Sequence, residues 1–155
     1  MTPHPGEMAH FLGQPLERVM AAPWETARET ARRFGITVVL KGARTVIASP
    51  EGKLRINSTG NPAMASAGMG DVLSGLIAAF LAQGLPPFEA AMAGVYLHAL
   101  AADLLVSETG WHMVKAGEVM NRSREAFRVL RDRHWPRIAC PPPNIEVLNP
   151  RRRDK

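Results

Sequence analysis

The chain has 155 residues, 46% of them hydrophobic and 21% charged, with 13 glycines, 13 prolines and a single cysteine. That length suits one compact domain, while a lone Cys140 excludes a disulfide scaffold or zinc ribbon and fits a reducing compartment. Residues 1–120 carry 9 basic and 10 acidic side chains and the last 35 carry 10 and 4, so the formal +5 belongs to the C-terminal end.

Without interleaved aromatics, that end reads as a solvated basic tail and not as a nucleic-acid surface. No run of about eighteen uncharged apolar residues occurs, so no membrane span is expected. Residues 1–7 lack the basic and apolar regions of a signal peptide.

Thr2 to Glu7 reads as a Pro/Gly-punctuated loop, followed by a helix from Glu7 to Met20. Pro23 suits an early helical position, and Trp24–Phe34 forms a second helix stopped by Gly35. Ile36–Leu40 is a continuous run rich in β-branched residues, as expected of a strand buried on both faces. Thr45–Ser49 and Lys53–Asn57 flank Pro50-Glu51-Gly52 and read as a hairpin.

A polar, glycine-rich stretch from Ser58 to Gly70 leads into a helix over Asp71–Gln83, with Gly84 beyond its end. Phe88–Ser107 is apolar nearly all round and should be buried, while Gly117–Arg133 carries a basic face. Residues 136–155 read as a Pro-rich basic tail after a domain over 1–135. The order of elements implies an α/β fold.

The chemistry concentrates in Ser58–Asp71. Gly68 and Gly70 remove Cβ atoms where the backbone must curl and a ligand must come close. The helix that follows presents unpaired N–H groups and the positive end of its dipole, which stabilise an anion such as phosphate. Asp71, at the same mouth, could cap the helix, coordinate a metal or act as a general base. Lys41-Gly42-Ala43-Arg44-Thr45 follows the buried strand, where ligands gather in open α/β sheets, and its cations suit a nucleotide phosphate. The Gly-Lys-Ser/Thr ending of a Walker A loop is absent, as is a dinucleotide fingerprint.

Four segments together resemble one family. They are Thr2-Pro3-His4-Pro5-Gly6-Glu7-Met8, Val39–Ala48, Thr59-Gly60-Asn61-Pro62 through Gly70-Asp71-Val72-Leu73-Ser74-Gly75, and Ala90-Ala91 with Val95–Ala99 and Ala101-Ala102-Asp103. In order and spacing over residues 2–106, the chain is similar to the C-terminal part of the ADP/ATP-dependent NAD(P)H-hydrate dehydratases of the ribokinase-like superfamily. The resemblance implies the second half of a three-layer α/β/α domain with a mainly parallel sheet. It also implies a cytoplasmic lyase that repairs hydrated NADH or NADPH with ADP or ATP and Mg²⁺.

In that frame His4 and Asp71 face the hydrated nicotinamide, and Asp71 is the base. Lys41, Gly42, Ala43, Arg44, Thr45 and Asn61 hold the adenine nucleotide, and Gly68 and Gly70 form the anion hole. No dedicated metal ligand is identified. Met69 is bulkier than the family's usual residue and is expected to crowd the phosphate loop. Half a parallel sheet would leave the buried strand with a bare edge, so a homo-oligomer or pairing with another chain is expected.

A small-molecule kinase of the same fold, or a non-catalytic remnant that binds nucleotide or a partner, are the alternative readings. Outside the motifs, His98 and Asp103 read as a satisfied core pair or as helix packing, and His10 and His112 lack partners at metal-ligand spacing. Trp24, Trp111 and Trp135 read as packing anchors, and Met8, Met64, Met69, Met92, Met113 and Met120 as core filling.

Overall fold

The computed structural model describes residues 1–110 and 113–132. They fall into two compact units, one formed by described residues 1–58 and the other by described residues from 59 to 132. The expected tail and the boundary at 135/136 lie outside the described residues, as do Trp111, His112, Trp135 and Cys140.

The first unit holds helices α1 (Pro5–Leu12), α2 (Leu16–Ala21) and α3 (Pro23–Phe34) and strands β1 (Val38–Leu40), β2 (Thr45–Ala48) and β3 (Leu54–Asn57). The expected single helix over Glu7–Met20 is two helices. Gly13 takes a left-handed φ of 62° at the end of α1, and Pro15, which has no N–H to donate, stands before α2. Gly35 ends α3 in the same left-handed manner at φ 64°, as the sequence predicts.

All three residues of β1 are buried, so both faces of that strand are covered. The three-stranded sheet has order β1-β2-β3, with Val39 opposite Ile47 and Val46 opposite Ile56. Both pairings are antiparallel: β2 and β3 form the hairpin expected around Pro50-Glu51-Gly52, while β1–β2 adds a second antiparallel pair where the resemblance implies a mainly parallel sheet. The connections at 41–44 and 49–53 are too short for the crossover that a parallel pair needs.

A parallel pattern does occur on the other side of β1. The Met1 ammonium donates to the Thr37 carbonyl at 2.8 Å, while Val39 and Lys41 N–H donate to the Met1 and Pro3 carbonyls at 2.9 and 2.8 Å. One residue bonded to j−1 and j+1 of its neighbour is the parallel arrangement. The buried strand therefore does not have the bare edge expected of it. Met8, Val19, Ala27, Ala31, Val38, Leu40, Val46 and Ala48 form this unit's core.

In the second unit a 3-10 turn (Pro62–Met64) precedes α4 (Met69–Ala82), α5 (Pro87–Thr109) and α6 (Ala116–Asp132). By length and composition α5 is long and apolar enough to cross a membrane. Twelve of its residues, from Phe88 to Leu104, are nevertheless buried inside the protein, as its all-round apolar character predicts. Leu97, Leu100, Ala101 and Leu104 pack with Met69, Val119 and Ala126. Arg122 of α6 bonds Glu108 of α5 and Glu125 of its own helix.

Met113 and Met120 are 76% and 57% exposed, so neither is the core filling expected, and Trp24, expected as a packing anchor, is 42% exposed. Of the two expectations for His98, helix packing holds and pairing with Asp103 does not: His98 is buried in α5, and its Nε2 has no hydrogen-bond partner among the described residues. Burial pushes its pKa down to about 4 from the ordinary 6.5. An unfolded His98 binds a proton below pH 6.5 that the folded one refuses until about pH 4. Stability is therefore full above pH 6.5 and falls as the pH drops towards 4, by roughly 3 kcal/mol at the limit. Urea melts across that range check this, with His98→Gln expected to flatten the profile; an equal slope in the variant would contradict it.

Candidate active site

Two constellations carry the chemistry, one in each unit. In the first, the chain enters α1 through a capping box. His4 is the N-cap, its Nδ1 accepting from the Glu7 N–H at 3.1 Å, while the Glu7 carboxylate accepts from the His4 N–H at 2.6 Å. With Nδ1 used as acceptor, the neutral ring carries its proton on Nε2, which lies 3.6 Å from Glu7 Oε1. The other carboxylate oxygen of Glu7 is 3.5 Å from Lys41 Nζ.

The His4 N–H first, and then the charge of Lys41, hold the Glu7 carboxyl below its ordinary range. His4 and Lys41, separate in the sequence reading, are thus brought together by Glu7, which that reading did not assign to the site. Its signal was legible as the residue three places after an N-cap. Beyond Lys41 the chain turns sharply, with Thr45 Oγ1 donating to the Gly42 carbonyl at 3.2 Å. Gly42, Ala43 and Arg44 are exposed along that turn, and a Cβ at Gly42 would meet nothing within 4 Å.

In the second unit the constellation surrounds the start of α4. Gly68 is the N-cap at φ +85°, a conformation that L side chains rarely adopt, and a Cβ there would lie 3.2 Å from that of Ala116. No side chain caps α4. Asp71 and Val72 N–H close back on the Gly68 carbonyl, each at 3.1 Å. The helix mouth is therefore left to backbone donors and the positive dipole end, which suits an anion.

Gly70 is partly exposed and Asp71 exposed in the first turn, so the three predicted residues Gly68, Gly70 and Asp71 do come together. Asp71 is not the cap. Met69 does not crowd the loop as expected, because its side chain is buried in the helical core.

Asn61 is tied into the loop itself. Its Nδ2 donates to Asp103 Oδ1 at 2.8 Å and its Oδ1 accepts from the Ala63 N–H at 3.1 Å. Asp103 Oδ2 also accepts from the Gly60 N–H at 3.0 Å. Together with burial, the charge of Asp103 pushes the Tyr96 hydroxyl up to about 12, burial being the larger cause. A groove of about 410 Å³ in the same unit is lined by Leu76, Phe80, Leu97, Phe127, Arg124 and Arg128 among others, and does not include Gly68, Gly70 or Asp71.

Among the described residues no three His, Cys, Asp or Glu side chains gather to hold a metal ion. Asp71 is a single carboxylate beside a phosphate-suited mouth. That fits Mg²⁺ held chiefly by nucleotide phosphates, the usual way this ion is bound.

Comparison with known proteins bears on the family of the chain. A family model described as NAD(P)H-hydrate dehydratase matches residues 1–124. The ADP-dependent (S)-NAD(P)H-hydrate dehydratase of Neisseria meningitidis is 44% identical over 133 residues, 86% of this chain and 44% of that protein. The Bacillus subtilis protein of the same name is 40% identical over 119 residues, 77% of this chain and 43% of its own length. The crystal structure of the Bacillus subtilis ADP/ATP-dependent NAD(P)H-hydrate dehydratase, co-crystallised with ATP/Mg²⁺, superposes with a TM-score of 0.78 at 37% identity. That match covers 82% of this chain and 46% of the other.

A hydroxyethylthiazole kinase from Pyrococcus horikoshii, at 21% identity and a TM-score of 0.66, shares the fold. The chain spans less than half the length of the dehydratases it matches here. With a family model that matches residues 1–124 and dehydratases 44% and 40% identical over 86% and 77% of its length, the chain belongs to the NAD(P)H-hydrate dehydratase family.

Proposed function

We propose that the chain takes part in the ADP- or ATP-dependent dehydration of hydrated NADH and NADPH, a repair reaction of the cytoplasm. The observation that carries this reading is the uncapped start of α4, with left-handed Gly68 at its mouth and an exposed carboxylate, Asp71, in its first turn. Gly68 and Gly70 let phosphate oxygens approach the backbone N–H groups. Asp71 takes the proton of the substrate hydroxyl as that oxygen accepts the terminal phosphoryl group of the nucleotide. The C–O bond then breaks with phosphate as the leaving group, the ring loses a proton, and NAD(P)H, phosphate and the shortened nucleotide result.

Lys41, Gly42, Ala43, Arg44 and Thr45 hold the adenine nucleotide, the two cations facing its phosphates. His4 donates from Nε2 to the hydrated nicotinamide. Mg²⁺ would neutralise phosphate charge and would be held by the nucleotide. The chain acts as a homo-oligomer or with another chain. That last point is supported by large apolar side chains at the surface of the first unit, including Phe11 and Phe34, 47% and 42% exposed with ring centroids 5.0 Å apart.

The test is to incubate the full chain with hydrated NADH, Mg²⁺ and either nucleotide while following NADH absorbance and phosphate release, with its size in solution measured alongside. Recovery of NADH with stoichiometric phosphate supports the reading. Accumulation of a phosphorylated alcohol would instead establish a kinase, and no turnover by a folded chain would overturn the proposal for the chain by itself.

A further inference from the structure

The loop that feeds α4 is fastened at two places. On one side, Asp103 of α5 takes the Gly60 N–H on Oδ2 and the Asn61 amide on Oδ1, at 3.0 and 2.8 Å across more than forty residues of sequence. Asn61 in turn caps the 3-10 turn through the Ala63 N–H. On the other side, the Val114 N–H donates to the Ala63 carbonyl at 3.1 Å and Ser66 Oγ donates to the Val114 carbonyl at 2.8 Å. Gly60 holds φ +99°, and a Cβ there would meet Met64 Sδ at 3.1 Å and Ala99 at 3.4 Å. The backbone thus lies hard against α5 where Asp103 grips it.

Both Asp103 oxygens and the Asn61 amide oxygen accept within this small network, and these bonds together favour one arrangement of the loop.

We infer that Asp103 is the positioning residue of the nucleotide loop. Through Gly60 and Asn61 it sets the course of residues 60–68, and so the place of the Gly68 turn and the anion-binding mouth of α4. Asn61 acts through this contact and not as a ligand of the nucleotide. The functional half of the inference rests on the dehydratase reading above; the structural half does not.

The bonding pattern dictates the test. In Asp103→Asn, the new amide can accept from Gly60, but its Nδ2 meets the Asn61 amide. Asn61 can satisfy it only by turning its own oxygen away from Ala63. Asn61→Asp sets two carboxylates against each other. In the exchanged double variant Asn61→Asp/Asp103→Asn every bond can re-form: residue 103 accepts from Gly60 and donates to residue 61, which accepts from Ala63.

Hydrogen exchange of the full chain should show the Gly60 and Ala63 amides opening about tenfold faster in each single variant, as expected for one lost bond to a charged group. Protection should return in the double variant. In ADP titrations the same variants should lose affinity by a similar factor and regain it on exchange. Unchanged exchange rates in Asp103→Asn would overturn the inference. So would a double variant that recovers protection but not ADP affinity, since that would make Asn61 a direct ligand. A wild-type chain that binds no ADP would count against the dehydratase reading alone, with the exchange rates still deciding the role of Asp103.

Discussion

Replacing Asp71 with Asn is expected to lower the rate of NAD(P)H recovery by about 10²–10⁴-fold, the usual contribution of a positioned general base. The structure separates this from a folding effect. Asp71 is exposed and does not cap α4, because the N-cap is Gly68 and no side chain bonds the first turn. Among the described residues the carboxylate makes no bond, and it contributes to the fold through its place at the positive end of the helix dipole, worth about 0.3–1 kcal/mol.

Asn keeps the shape and cannot accept the hydroxyl proton. Removing a negative charge beside the anion mouth should leave nucleotide affinity equal or slightly tighter, so the loss should fall in kcat and not in KM for the nucleotide. Initial rates over a range of nucleotide concentrations, with a thermal melt of each protein, separate the cases. A variant with undiminished kcat would remove Asp71 from the role, and a large drop in melting temperature would mean that the carboxylate supports the fold.

What the sequence made legible follows from the range of the interactions involved. β1 could be read because three consecutive buried residues need no partner to be recognised, and α3 and α4 because Gly35 and Gly84 mark their ends locally. Gly68, Gly70 and Asp71 were readable because they are neighbours in the chain. The break at Gly13 was missed because apolar side chains continue through it, and a pattern of side chains does not report a backbone φ of 62°.

The β2–β3 hairpin was legible from Pro50-Glu51-Gly52, whereas the direction of the β1–β2 pair was not. A run rich in β-branched residues signals burial on both faces and not the sense of pairing, which here follows from short connections between β1, β2 and β3. Asp103 was paired with His98 because the two lie on one helix. Its actual partners, Gly60 and Asn61, are more than forty residues away, and nothing in local spacing points to them.

A second large effect is expected where α4, which carries Asp71, crosses α5. A Cβ on Gly94 would lie 2.5 Å from Ile77 Cγ1 and 3.2 and 3.3 Å from the Ile77 backbone N and Cα. The first distance is below any real carbon contact, and the other two involve main chain, so no rotamer of Ile77 relieves them. Gly94→Ala gains up to about 1 kcal/mol of helix propensity. It must also push two helices apart in a packed core, at a cost of about 1–3 kcal/mol or more.

The clash prevails, and Gly94→Ala should be less stable than the wild type, with Gly94→Val worse again. Gly75 provides the control within α4. It is exposed and a Cβ there would meet nothing within 4 Å, so Gly75→Ala should stabilise by about 0.5–1 kcal/mol through propensity alone. Denaturant midpoints of the two alanine variants should therefore move in opposite directions from the wild type. If both moved upward, the close approach of α4 and α5 at Gly94 would not exist in solution. Because Gly68, Gly70 and Asp71 ride on the start of α4, Gly94→Ala should also weaken ADP binding at temperatures where the protein remains folded.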